Sequence, residues 1–324
     1  LIPAGAVLLG GCNTVQSVLA PIGDQALAIR QIWNLSLWIC VPMYLLVMLG
    51  LGWALWRSRG EGHEVASDRG LSIGLTAFIV LTVGLLTTLT AASYVTDRRL
   101  HAPISNPVNV RITGEQWWWR IDYVDEADPS KQFTTANELH LPVDRPARIE
   151  LRSGDVIHSL WIPVLNGKED LIPGHDNTII MTPRRVGTYR GQCAEFCGLQ
   201  HAKMALDVRI DDANTFAAWQ AQQLLPAATP ATSSAIVGQQ LFTRIACANC
   251  HTIQGRGAGG VVGPDLTHLA SRRTLAAGAL PLNRGTLQAW IIDPQFHKPG
   301  TNMPAIPLTP EQLNDITEYL MELH

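Results

Sequence analysis

The sequence predicts a multidomain chain: two membrane-crossing helices, an all-β sandwich or barrel, and a small all-α domain. Three observations carry this reading. Residues 31–56 and 70–96 are apolar runs without a single charged side chain, hydrophobic alternation with a period of two dominates from about 106 to 210, and helical periodicity returns beyond 235. A length of 324 residues suits two or three compact units at about 150 residues per unit. With 16% charged and 47% hydrophobic residues, the chain is too apolar for disorder and too charged for a multi-span transporter. A net charge of −3 excludes the basic surplus of a nucleic-acid binder.

Taken in order, residues 1–30 read as a leader-like segment in which Leu9-Gly10-Gly11-Cys12 matches a bacterial lipoprotein box, so Cys12 is expected to be a processed, lipidated terminus. At 1.5 Å per residue, each apolar run is long enough to cross a hydrocarbon layer of about 30 Å, and 31–96 is therefore a hairpin of two spans. Trp33, Trp38, Trp53, Trp56 and Tyr94 cluster toward the run ends, where aromatic rings favour the lipid–water boundary. Arg57, Arg59 and Arg69 place the connecting loop in the cytoplasm, with both flanking segments outside. Cys40, within the first run, reads as a small apolar filler.

Within 97–225, the segments Val108–Ile112, Arg148–Arg152 and Ala205–Ile210 alternate, separated by Pro and Gly turns, and 212–225 is helical in pattern. Residues 226–234, PAATPATSS, have the composition of a flexible linker. From 235 to 324, helical stretches at 235–246 and 310–323 flank a glycine-rich middle. That last segment carries equal numbers of cationic and acidic side chains, so long-range steering of a charged partner toward it is expected to be modest.

Two cysteine clusters carry chemistry. Cys247-Ala-Asn-Cys250-His251 has the C-x-x-C-H spacing of covalent c-type haem attachment, with two thiols for the vinyl groups and His251 for the iron. Met303, in a loop before the last helix, is the candidate second axial ligand, and Met/His ligation suits electron transfer. A thioredoxin-like pair is disfavoured because no βαβ pattern surrounds it. The second cluster, Cys193, Cys197, His201 and Met204, gathers two thiols, an imidazole and a thioether within twelve residues, the donor set copper prefers. Two cysteines four apart on a turn suit a pair of bridged coppers, completed by a distant histidine for which spacing leaves His140, His158 and His175 open. Structural zinc fits this spacing and a thioether poorly.

The run Gly191-Gln-Cys193-Ala-Glu195-Phe-Cys197-Gly-Leu-Gln-His201-Ala-Lys-Met204 resembles the dinuclear copper A loop of cytochrome c oxidase subunit II, and Asp155-Val-Ile-His158-Ser159 resembles the strand bearing that family's other histidine. Gly263–Arg272 and Lys298–Pro304 resemble relatives whose subunit II is fused to a cytochrome c. The resemblance implies a cupredoxin-like dicopper barrel at 97–225 and a cytochrome c domain at 235–324. It implies that Cys193 and Cys197 bridge two coppers, that His158 and His201 are terminal ligands, that Met204 is a weak ligand, and that Glu195 binds through its carbonyl. The Glu195 side chain is then directed to a magnesium or manganese ion shared with subunit I. Gly114-Glu-Gln-Trp117-Trp118-Trp119 resembles the family's aromatic patch, which makes Trp117 the residue where electrons pass toward copper. Trp118 and Trp119 read equally as residues alternating across a strand. Asp122, Asp125, Glu126 and Asp128 fit either a donor-docking acidic patch or a solvated turn.

Two positions depart from the family pattern. Glu64-Val65 lacks the Trp-Thr that usually follows, which puts a proton-uptake role for Glu64 in doubt, and His175 stands where the family usually has Arg. The implied function is that of an electron-accepting subunit of a proton-pumping oxidase in the bacterial cytoplasmic membrane, with both metal domains on the periplasmic side. Its partners would be subunits I and III, a soluble or membrane-bound cytochrome c donor, and lipid, with no nucleic acid. The alternatives are a copper A-containing nitric oxide reductase subunit and a membrane-tethered copper-delivery module. A quinol oxidase subunit is disfavoured because that relative lacks the copper ligands.

Overall fold

The computed structural model describes residues 15–58, 68–100 and 102–324; Cys12 and Glu64 lie outside these residues. Helix α1 spans Asp24–Arg57 and α2 spans Asp68–Leu100. Both are long and apolar enough to cross a membrane, and none of the side chains in their apolar windows is buried inside the protein. The hydroxyls of α2 do not spoil that surface. Thr76, Thr82, Thr87, Thr88 and Thr90 each donate to the carbonyl four residues back, so these five hydroxyl hydrogens are not left for the hydrocarbon to solvate.

Residues 27–103 form one compact unit and the described residues up to Ala26 together with 104–324 form the other. The second unit begins on strands: β1 Val108–Glu115, β2 Trp118–Tyr123, β3 Phe133–Ala136, β4 Glu138–Pro142 and β5 Ala147–Ser153. These are followed by β6 His158–Trp161, β7 Glu169–Leu171, β8 Asn177–Met181, β9 Gly187–Cys193 and β10 Ala205–Asp211. They make two five-stranded mixed sheets, ordered β3-β2-β1-β5-β8 and β4-β10-β9-β6-β7. The expected closed barrel is thereby corrected to two open sheets. The alternation seen in the sequence is that of a strand with one buried face, and this is the same whether a sheet closes or not. Ile112, Ile121, Leu139, Leu141, Ile149, Leu151, Leu160 and Trp119 are fully buried in the core of these strands. The parallel pairs β1–β5 and β10–β4 join strands that are distant in sequence.

The chain leading into α1 and the first residues of that helix are sewn to these sheets. Gly23 bridges Pro183, Asp24 pairs with Arg184 at 2.6 Å, and buried Gln25 accepts from the Thr182 amide.

Helix α3, Ala213–Gln223, starts on an Asp212 cap that accepts from the amides of Asn214 and Thr215. Then come α4 Ser233–Arg244, α5 Cys247–Cys250, α6 Arg284–Ile292, α7 Pro294–His297 and α8 Pro310–Met321. Helices α4 and α8 pack together through Phe242 and Tyr319, whose rings meet edge-on at 5.9 Å. Thr309 and Gln312 form a capping box that fixes the start of α8.

Composition made 226–234 a flexible tether; the structure instead bonds it down. The Ala227 amide donates to the Gln254 carbonyl at 3.1 Å, and the Ala231 amide donates to the Glu322 carboxylate at 2.7 Å. Arg256 donates to Ala227 and Thr229, and the Thr232 hydroxyl donates to Glu322. A Pro/Ala/Thr/Ser composition reports low hydrophobicity, but it does not reveal partners supplied by another segment.

Candidate metal centre and haem cavity

Strand β6 opens with His158 and its neighbour β9 ends with Cys193, the pairing Leu160↔Cys193 setting their register. The loop 194–204 then returns to β10. It is anchored at both ends, by the Cys193 amide donating to Met204 O (2.9 Å) and the Ala194 amide donating to Ser159 O (2.9 Å). This brings the donor atoms together. Cys193 Sγ lies 3.7 Å from Cys197 Sγ and 3.9 Å from His158 Nδ1, while Cys197 Sγ lies 3.6 Å from His201 Nδ1 and 3.9 Å from Met204 Sδ. The Glu195 carbonyl is 3.2 Å from Cys193 Sγ, and its carboxylate pairs with Lys168 at 3.2 Å. The ligand atoms of His158, Cys193 and Cys197, all buried, lie within 4.8 Å of one another.

The two thiols lie within hydrogen-bonding distance of each other. The Cys197 contact outweighs burial and holds the Cys193 thiol down to about 3, while the same contact together with burial pushes Cys197 well above the usual thiol range. Burial works against protonated His158, but its contacts with Cys193 and Asp155 outweigh it and raise the pKa.

Asp155 was not singled out by its own chemistry in the sequence. Its Oδ1 lies 2.8 Å from His158 Nε2 and its Oδ2 accepts from the Gln116 amide at 2.6 Å. An ionised carboxylate only accepts, so the proton sits on Nε2 and leaves Nδ1 bare toward Cys193. Gly114 lies against the same ring, where a Cβ would come within 2.8 Å of His158 Cδ2. The other two histidines are engaged elsewhere. His140 stacks on Trp219 at 4.0 Å and meets Asp211 at 2.8 Å, and His175 stands in an exposed turn. Asp125 and Asp128 accept from turn amides around 127–130, and Asp122 accepts from Thr134.

The C-x-x-C-H residues line a cavity of about 290 Å³ whose wall also includes Met303, Trp117 and Trp290. His251 Nδ1 lies 2.8 Å from the Pro264 carbonyl, so this nitrogen carries the proton and Nε2 is bare. Burial lowers the pKa of His251 and keeps it neutral, as a metal-ligating imidazole must be. Gly263 is to His251 what Gly114 is to His158: a Cβ there would lie 2.6 Å from His251 Cε1. No periodicity or spacing announces either glycine.

Trp117 joins the two regions. It is 7% exposed and faces the cavity, while its indole N–H donates to the Cys197 carbonyl at 2.9 Å. Trp118 is half-buried with Arg120 over its ring, and Trp119 is fully buried in the core.

Residues 108–210 match the family described as "Cytochrome C oxidase subunit II, periplasmic domain", and residues 235–324 match the family "Cytochrome c". The chain is 33% identical to the "Cytochrome c oxidase subunit 2" of Alkalihalophilus pseudofirmus over 264 residues, covering 80% of this chain and 75% of that one. It is 31% identical over 231 residues to the protein of the same name from Bacillus sp. strain PS3, covering 67% of this chain and 63% of the relative. The counterpart from Bacillus subtilis is 30% identical over 224 residues, 66% of this chain and 62% of that one. The chain belongs to the cytochrome c oxidase subunit II family.

Proposed function

We propose that this chain is the electron-input subunit of a membrane-bound haem–copper oxidase, accepting electrons from a cytochrome c donor and delivering them toward subunit I, where oxygen is reduced. It works within an oxidoreductase complex and offers no oxygen-reducing site of its own. The observation that carries the reading is the adjacency of two donor sets about one residue: Trp117 lines the C-x-x-C-H cavity and hydrogen-bonds the thiol loop. Family membership supports it over most of the chain.

The donor sets fit the groups assigned to them. Two soft sulfurs flanked by imidazole, thioether and a carbonyl suit a pair of coppers, which Cys193, Cys197, His158, His201, Met204 and the Glu195 carbonyl would hold. Cys247 and Cys250 would hold a haem covalently, with His251 and Met303 on its iron, in a cavity lined mostly by apolar side chains. When bound, these groups supply one-electron acceptance and release. The chain's own residues hold the donors in place: Asp155 and the Pro264 carbonyl fix the two imidazoles, and Trp117 clamps Cys197. The Glu195 carboxylate is assigned to magnesium or manganese shared with subunit I.

In this scheme 97–225 is the copper domain and 235–324 the cytochrome domain. Both lie on the periplasmic side of the cytoplasmic membrane, with subunits I and III alongside the helices. Electron paramagnetic resonance with metal and haem analysis of the full chain tests the reading. One unpaired electron shared by two equivalent coppers, with one c-type haem per chain, is the expected result. A single-copper signal, or zinc in its place, overturns it.

A further inference from the structure

Four consecutive residues of the C-terminal segment, His297–Gly300, lie across the thiol loop and Trp117, and side chains reach over the seam in both directions. From the thiol loop, Lys203 Nζ donates to the His297 carbonyl at 2.6 Å and Gln200 Nε2 donates to the Pro299 carbonyl at 2.7 Å. From the opposite side, Lys298 Nζ donates to the Trp117 carbonyl at 2.6 Å and to the Ala276 carbonyl at 3.0 Å. A Cβ built on Gly300 would stand 3.5 Å from Trp117 Cη2, ordinary contact distance, so backbone rests directly on the indole.

We propose that Lys298 is a positioning residue that pins the Met303-bearing loop to the Trp117 peptide, and so fixes the haem cavity against the dicopper loop for electron transfer between them. This rests on the electron-input reading above. The chain of contacts is short: Lys298 holds the Trp117 carbonyl, and the indole of the same residue holds the Cys197 carbonyl.

Lys298 is an unusual choice for a mere filler. It is 2% exposed, and no carboxylate lies within ion-pair distance of it among the described residues. Burial lowers its pKa to about 7. Its amine donates to two carbonyls, Trp117 O and Ala276 O. An apolar side chain would fill the same space without the desolvation penalty, so the amine contributes geometry: it ties one carbonyl from each side of the seam to a single atom. Met303 lies five residues further along the same loop, and the Lys298 and Thr301 amides, bonded to Pro294 O and Lys298 O, keep that loop in one conformation.

The step concerned moves one electron from ferrous haem, which becomes ferric, to the oxidised dicopper pair, which becomes one electron reduced; no bond forms or breaks. The test uses the full chain in its oxidase complex, with Lys298→Met. Haem and copper spectra and the KM for a cytochrome c donor should remain unchanged, because Lys298 is not among the ligands and is buried away from any approaching donor. Internal transfer after light-driven reduction of the haem should fall about tenfold or more, since a displacement of about an ångström is enough to impair a positioned reaction. Amide hydrogen exchange at Lys298 and Thr301 should accelerate with it. Intact spectra with an unchanged internal rate overturn the pin and leave the electron-input reading standing. Loss of the dicopper signal from the unaltered chain overturns both. Should Lys298→Met fail to accumulate, the unaltered chain decides: exchange at Lys298 and Thr301 as slow as in α8 supports the pin, and exchange at the rate of a free peptide overturns it.

Discussion

The thiol loop and the C-x-x-C-H region offer similar atoms, two thiols, imidazole and thioether, and bring them together by opposite means. In the loop, protein hydrogen bonds and a two-sheet core set the sulfurs and nitrogens at contact distance. In the other region the donors surround a volume of about 290 Å³ that no described side chain fills. The first site is shaped by its framework; the second is shaped by what it encloses.

The largest effect expected from this contrast is on stability. Replacing Cys247 and Cys250 with Ala would remove the proposed covalent haem attachment and leave 235–324 around its cavity, so the loss of stability should be the largest of the set. Circular dichroism of the full chain should show early, separate melting of that helical region. If copper is held as proposed, stripping it with a chelator should lower the melting temperature of the sheets yet leave them folded. Equal losses in the two experiments would break the comparison.

Next in size are the two glycines. Gly114→Ala should cost about 1–3 kcal/mol in chemical denaturation, because His158 is locked by Asp155 and cannot turn away. Gly263→Ala should cost a similar amount, since a Cβ there would lie 2.6 Å from the His251 ring that the Pro264 carbonyl holds. Asp155→Asn tests the framework more gently. The amide no longer dictates which nitrogen carries the proton, and copper affinity measured by competition should fall about 10- to 100-fold. The smallest effect is expected for Arg273→Ala. Its pair with Asp207 spans 3.3 Å and the arginine is 52% exposed, so the melting of the two regions should shift by less than about 1 kcal/mol.

What the sequence made legible follows the same division. Donors close together in the chain, Cys193 to Met204 and Cys247 to His251, announce their chemistry because a turn or one helical step is enough to gather them. The distant histidine could not be chosen by spacing; only the β6–β9 register, a long-range pairing, brings His158 beside Cys193 and leaves His140 to Trp219 and Asp211. The spans at 31–56 and 70–96 were readable because a continuous apolar run is a local signal, and α1 and α2 contain them. The openness of the sheets was not, since β1 and β5 meet in parallel across a gap in sequence. Lys298 gave no sign of burial, because a lysine between His and Pro reads as surface. The neutral charge count for 235–324 likewise hid that Arg272, Lys298 and Asp265 are withdrawn from the surface, which leaves the remaining acids in slight excess.

The bonded connector has a consequence for traffic. A domain on a slack leash finds its target by diffusive search, at a rate set by leash length and weakened or strengthened by salt. Ala227, Ala231 and Thr232 are tied to Gln254 and Glu322, so no leash is paid out and no search precedes contact. The segment beyond the connector is in turn bonded to the sheet region, through Lys203 to the His297 carbonyl, Gln200 to the Pro299 carbonyl and Lys298 to the Trp117 carbonyl, and a domain held this way does not swing out to collect its cargo and swing back. Electrons must come to it, and the chain acts as a relay post rather than a ferry.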